Sequence, residues 1–129
     1  MNIPADLKYT KEHEWIKVDG DIVTIGITDY AQGELGELVY VEVDTIDEEL
    51  ALNDVFGTVE AVKTTSDLFM PISGTVLEMN PELDENEGDN PTAVNEDPYG
   101  KGWIVKVKIA DKADLDALLN ADAYKSLIA

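Results

Sequence analysis

Short runs rich in β-branched and aromatic residues, each cut off by Gly, Pro, Asn or Asp, are what most constrains this chain of 129 residues. Runs of that length with turn residues between them build antiparallel sheets, because each is too short to bury a helical stripe and each break supplies a tight reversal. They fall at Glu14–Val18, Asp21–Ile27, Glu37–Val43, Asp54–Val62, Asp67–Met70, Gly74–Met79 and Trp103–Ile109. Asp19-Gly20, between the first two, predicts a hairpin, since both residues tolerate the positive φ of a type I′ turn. In the last run Trp103, Val105, Val107 and Ile109 alternate with Ile104, Lys106 and Lys108. That alternation predicts a half-buried edge strand with lysines facing water.

Helices are predicted to be short and peripheral. Thr28 can cap a turn or two through Gln32, with Asp29 at the positive helix end and Gly36 as a stop. Asn80-Pro81 is a second start signal, a capping side chain followed by proline in the first turn. The tail Asp111–Ala129 places Leu115, Leu118, Leu119, Leu127 and Ile128 at approximately helical spacing, and Asn120-Ala121-Asp122 should break it in two. The class is mainly β, a single domain over 1–129 with its β body at about 14–109 and a helical tail at about 111–129. A hydrophobic content of 44% is enough for one core.

Charge narrows the partners. There are 28 Asp plus Glu against 9 Lys plus Arg, a formal net charge of -19. Such a surface repels nucleic acid, which demands a basic footprint, and anionic membranes likewise. It suits solubility and fast encounters with basic patches on proteins. No apolar run approaches the roughly 20 residues that span a bilayer. Met1–Asp6 resembles neither a secretory signal nor an organellar transit segment. A cytoplasmic protein is expected, or a mature processed form, in the mitochondrial matrix if eukaryotic. With zero cysteines, disulfides, zinc thiolates and cysteine nucleophiles are excluded.

Enzyme and metal motifs fail on spacing. Counting from Asp84, Gly88 falls fifth and Asn95 twelfth, whereas an EF-hand loop needs glycine sixth and glutamate twelfth. Gly33-Glu34-Leu35-Gly36 and Gly100-Lys101-Gly102 match no dinucleotide or phosphate loop. His13 is the only histidine, has no serine or cysteine partner nearby, and is expected to pack beside Trp15. No catalytic or metal residue is assigned.

One segment stands apart: Glu60-Ala61-Val62-Lys63-Thr64-Thr65-Ser66-Asp67, followed by Leu68-Phe69-Met70-Pro71-Ile72-Ser73-Gly74-Thr75-Val76. Two strand-like runs flank a small polar turn, and Lys63 begins it. Taken alone, a turn lysine is far more often a solvated surface charge.

Glu60–Val76 closely resembles the lipoyl-lysine hairpin of glycine cleavage system H proteins. The resemblance continues through Tyr9-Thr10-Lys11-Glu12-His13-Glu14-Trp15, Thr24–Gln32 with Leu35-Gly36-Glu37, and Asn95–Trp103, in family order over nearly the whole chain. Two features depart from the family pattern. Ala61 and Thr64 replace its common Ser and Ala, and both are small. The loop Asp44–Asn53 lacks the usual Pro and Gly, with Asn53 where glycine is common; asparagine tolerates left-handed backbone.

The resemblance implies a lipoyl-like flattened barrel, or barrel-sandwich hybrid, of two small sheets with short peripheral and C-terminal helices. It implies (R)-lipoate covalently attached to Lys63 and a monomeric, non-catalytic carrier. The carrier would shuttle the aminomethyl group of glycine from the pyridoxal-phosphate glycine decarboxylase (P protein) to the aminomethyltransferase (T protein) and its tetrahydrofolate. Electrons would pass to dihydrolipoyl dehydrogenase (L protein). A lipoate ligase or an octanoyl/lipoyl transferase would attach the group. The loaded arm would shelter in a cleft lined by the N-terminal segment, with Glu14 the first candidate to pair with the cationic amine and Glu12 and Asp67 further candidates. Glu12 reads equally as an exposed acid, and Asp67 as a cap on the hairpin turn. A biotin carrier would set methionine on both sides of the lysine, and Val62 and Thr64 stand there instead. A lipoyl relay to other acceptors and an unmodified acidic interaction module are the alternatives.

Overall fold

The computed structural model describes residues 2–129. The runs resolve into β2 (Glu14–Asp19), β3 (Ile22–Ile27), β4 (Leu38–Glu42), β6 (Val55–Ala61), β7 (Thr65–Phe69), β8 (Gly74–Met79) and β9 (Val105–Ile109), joined by two two-residue strands, β1 (Lys8–Tyr9) and β5 (Glu49–Leu50). One sheet runs β1-β2-β3-β9-β8-β5 and the other β4-β6-β7, all pairings antiparallel. The two faces bury Ile16, Ile25, Phe56, Val59, Met70, Ile72 and Val107 between them, each fully or almost fully shielded from water. The result is mainly β, as the runs predict, and a two-sheet open barrel-sandwich, as the resemblance implies.

Four expectations need correction. The β2–β3 hairpin pairs Asp19 with Ile22, so its loop is Gly20-Asp21, not Asp19-Gly20. Within that loop only Gly20 takes a positive φ, 63°, which is the mark of a type II′ turn. Strand β9 is not an edge: it lies between β3 and β8, and Lys106 reaches back over the Trp103 ring at 5.1 Å. Asn80-Pro81 starts no helix. Asn80 does cap, its Oδ1 accepting from Glu82 N at 3.0 Å, but its Nδ2 donates to the carbonyls of Lys101 and Trp103, and this cross-link holds the segment as turns. His13 does not pack beside Trp15; its ring meets Tyr30 and Tyr124.

The helices are short. Helix α1 (Asp29–Leu35) has Thr28 as its N-cap, the Thr28 side chain accepting from Ala31 N, and Gly36 at φ 83° as its stop. Helix α2 (Ala93–Glu96) precedes β9. The tail does divide, into a 3-10 segment Lys112–Ala117 and helix α3 (Ala121–Ile128), with Asn120 Oδ1 capping Ala123 N at the break. Tyr9 exchanges two backbone hydrogen bonds with Leu119, both 2.8 Å. That bridge brings the tail against β1 and closes a second small core of Leu7, Tyr9, Trp15, Ala121 and Tyr124.

Candidate functional site

Lys63 occupies the middle of the tip between β6 and β7. Antiparallel pairing runs up to Glu60–Thr65, and Ala61 N donates to Thr64 O at 2.7 Å to close the turn. Val62 N donates to Glu37 O at 3.2 Å. The tip is therefore tied sideways to the segment after α1 as well as to its own strands. Lys63 is exposed, and Val62 beside it is 69% exposed. Two paired strands and a lateral bond thus hold out a lysine whose amine is open to water.

Asn95 stabilises that lateral support. Its Oδ1 accepts from Leu38 N at 3.0 Å, and its Nδ2 donates to Gly36 O at 2.7 Å and to Gln32 Oε1 at 3.0 Å. One amide side chain thereby joins the end of α1 to the start of β4. A shallow cavity of about 360 Å³ lies against the tip, with Glu34, Glu37, Val62 and Lys63 on its walls.

Glu14 is the outlier among the acids. It is 2% exposed, at the first position of β2. Its Oε2 accepts from Phe69 N at 2.8 Å, and its Oε1 accepts from Thr10 Oγ1 at 3.2 Å. Burial pushes its carboxyl up to about 8, against the two hydrogen bonds, which favour the charged form less strongly. It borders a cavity of about 230 Å³ that includes Thr10, Lys11, Glu12, Phe69 and Leu118.

The candidate acids divide between two cavities. Asp67 borders a second one of about 270 Å³, walled by His13, Ile27, Tyr30, Ala31, Leu35 and Leu68. Glu12 borders both, and Glu14 and Asp67 share neither. Asp67 sits within β7 opposite Thr58, and among the described residues its carboxylate makes no hydrogen bond, so it does not cap the turn. Sequence reasoning missed Thr10 and the Phe69 amide as partners of Glu14. It also missed Tyr124, whose hydroxyl lies 2.9 Å from His13 Nδ1 and 2.7 Å from Thr28 Oγ1. Only the spacing of the tail hinted that Tyr124 would turn inward. Among the described residues no cluster of His, Asp and Glu could hold a metal ion.

The family model described as "Glycine cleavage H-protein" matches residues 7–129. The chain is similar to the glycine cleavage system H proteins of Staphylococcus haemolyticus, at 56% identity, and Bacteroides fragilis, at 54%, each over 99% of this chain and 98% of the relative. Among solved structures, that of a glycine cleavage system H protein from Mycobacterium marinum superposes with a TM-score of 0.83 at 37% identity, covering 96% of this chain and 97% of that one. A match of this length and identity leaves one assignment: the chain belongs to the glycine cleavage H-protein family, and its part in that system is a carrier's, not a catalyst's.

Proposed function

We propose that Lys63 carries the lipoyl group of this carrier, joined to its amine through an amide. The observation that bears most on the reading is the tip itself: an exposed lysine on a turn closed by Ala61–Thr64 and tied to Glu37. An attaching enzyme, a lipoate ligase or an octanoyl/lipoyl transferase, needs an unobstructed amine, and a long arm needs a stiff base. The ion pair found among the described residues is Lys112–Asp21, so Lys63 is held in none. When bound, lipoate supplies a dithiolane that opens reductively to take up the aminomethyl group of glycine and is later reoxidised.

The chain's own contribution is a base, a shelter and a docking surface. Three residues separate Lys63 from Ser66, where the second cavity begins, at most about 10 Å of chain, within reach of an extended lysine with an eight-carbon acyl chain. Ile27, Ala31, Leu35 and Leu68 give that cavity an apolar lining, and Glu12 and Asp67 edge it with negative charge. Glu14 is buried and borders the first cavity, which meets the second at Glu12. With its carboxyl raised to about 8, it is mostly protonated at neutral pH, and a cationic amine brought close would favour the charged form and make a charge-assisted pair. The acidic surface fits basic patches on the glycine decarboxylase, the aminomethyltransferase and dihydrolipoyl dehydrogenase, and it opposes self-association. A monomeric single domain in the cytoplasm completes the reading, supported by bacterial relatives and by the lack, among the described residues, of a helix able to cross a membrane.

Incubation of the purified chain with a lipoate ligase, lipoate and ATP, followed by intact mass and peptide mapping, tests the attachment. One lipoyl increment on the peptide containing Lys63 is expected. A biotin increment on protein isolated from cells, or a chain left unmodified by active ligase, would overturn it.

A further inference from the structure

We infer that Tyr124 of α3 is a positioning residue for the second cavity, holding two of its walls in place through one phenol without lining the cavity itself. The inference rests on the reading of that cavity as the shelter of the loaded arm.

The two walls come from separate parts of the chain. One is the N-terminal segment, where Glu12 and His13 border the cavity; the other is α1, which supplies Tyr30, Ala31 and Leu35. His13 takes φ 66°, a left-handed conformation that a residue with a Cβ holds only when its surroundings over-determine it. Backbone bonds fix part of it: His13 N donates to Thr10 O at 3.1 Å, and Thr28 N donates to His13 O at 3.0 Å. The ring is fixed by Tyr124, whose hydroxyl lies 2.9 Å from Nδ1, and by the tilted ring of Tyr30 with ring centres 4.9 Å apart.

The same hydroxyl lies 2.7 Å from Thr28 Oγ1. Thr28 is the N-cap of α1, accepting from Ala31 N at 3.2 Å, and Ala31 is a wall residue. Tyr124 therefore clamps His13 on one side and the first turn of α1 on the other. It is itself immobilised: fully buried, and stacked on Tyr9 with centroids 4.8 Å apart and planes within 11°. The three side chains are satisfied in either direction. Thr28 can donate to Tyr124 and Tyr124 to His13, or His13 to Tyr124 and Tyr124 to Thr28. A phenylalanine would keep the stacking and remove the clamp.

Such a residue acts on the cargo only through the walls. In Tyr124→Phe amide hydrogen exchange of the unloaded protein should quicken at Glu12–Glu14 and at Ala31; in His13→Asn, which keeps a side chain suited to positive φ and leaves the Tyr124–Thr28 contact in place, it should quicken at residues 12–14 and not at Ala31. Exchange in the β6–β7 strands and the rate of lipoylation at Lys63 should stay as in the parent. With the arm loaded, loss of the aminomethyl group to water breaks its C–S bond, returns a thiol and releases formaldehyde and ammonium. That loss should run roughly tenfold faster in His13→Asn, the size expected for one buried hydrogen bond, at least as fast in Tyr124→Phe, which removes both contacts, and no faster in the double variant than in Tyr124→Phe, because the one phenol carries both.

Folded variants with parent-like exchange at both walls, or multiplying effects in the double variant, overturn the inference. So does faster exchange throughout the chain, which would mark a merely structural role. If the parent itself retains the aminomethyl group no longer than a loaded lipoyllysine free in solution, the shelter reading is what fails. The exchange pattern then still decides whether Tyr124 holds the two walls.

Discussion

Glu14 Oε2 accepts the Phe69 N–H at 2.8 Å, so the first residue of β2 satisfies the last residue of β7 across the seam between the two sheets. A carboxyl kept at 2% exposure to make that bond carries a pH signature. Its value lies near 8 in the folded chain against 4.5 as an ordinary glutamate. Between those pH values the native state holds a proton that the unfolded state has released, so this group's contribution to stability is intact below about 4.5 and falls as pH rises toward 8. Glu14→Gln keeps an acceptor and cannot ionise. It should gain stability relative to the parent by on the order of 3 kcal/mol between pH 5 and pH 8. Urea titrations at the two pH values measure this; parallel behaviour of the two proteins would contradict it.

Lys63→Arg should abolish lipoylation while changing stability by less than about 0.5 kcal/mol, because the side chain is exposed and makes no ion pair among the described residues. Intact mass after ligase treatment and a thermal melt check the two halves separately. A modified Lys63→Arg protein would place the attachment elsewhere.

Gly26 is required for contact rather than for backbone freedom. A Cβ there would meet Trp15 Nε1 at 2.6 Å and Cζ2 at 2.7 Å. The indole is held in that position by donating to Pro98 O at 2.9 Å and packing against Tyr99. Gly26→Ala should cost about 1–3 kcal/mol as overpacking and change Trp15 fluorescence. An unaltered emission spectrum with parent stability would show that the indole can move aside.

Asn53 shows how a substituted loop keeps its path. It takes φ 73°, with its N–H donating to Met70 O at 2.9 Å. Asn53→Gly should be neutral within about 0.5 kcal/mol, and Asn53→Val should cost about 1–2 kcal/mol because β-branching opposes that conformation. Chemical denaturation distinguishes the two; equal cost would remove the left-handed requirement.

What the sequence made legible follows the range of the forces involved. Strands β2, β3, β6 and β8 were readable because alternation and turn residues act over a few positions. The break at Asn120 was readable for the same reason, a local cap. Strands β1 and β5 have two residues each and no periodicity to read; Tyr9 is a strand residue because Trp15 and Leu119 lie on either side of it. The alternation in β9 is equally true of an edge and of a centre, and only β8 arriving from elsewhere in the chain decides between them. Asn80 was identified correctly as a cap and incorrectly as a helix start, since the carbonyls of Lys101 and Trp103 that claim its amide lie more than twenty residues away. At the site, Lys63 was visible through the wording around it. The burial of Glu14, the separation of Asp67 from it, and the turning of His13 toward Tyr124 depend on which elements meet.

The contact between His13 and Tyr124 spans 111 residues, whereas the β6–β7 hairpin closes through a three-residue turn, Val62–Thr64. The chain entropy lost on closing grows, slowly, with the loop. Closing the hairpin therefore costs less chain entropy than making the contact that joins the walls of the second cavity. The tip and the pocket thus rest on contacts of very different sequence range, so a change that loosens the long-range contact can leave the tip as it was.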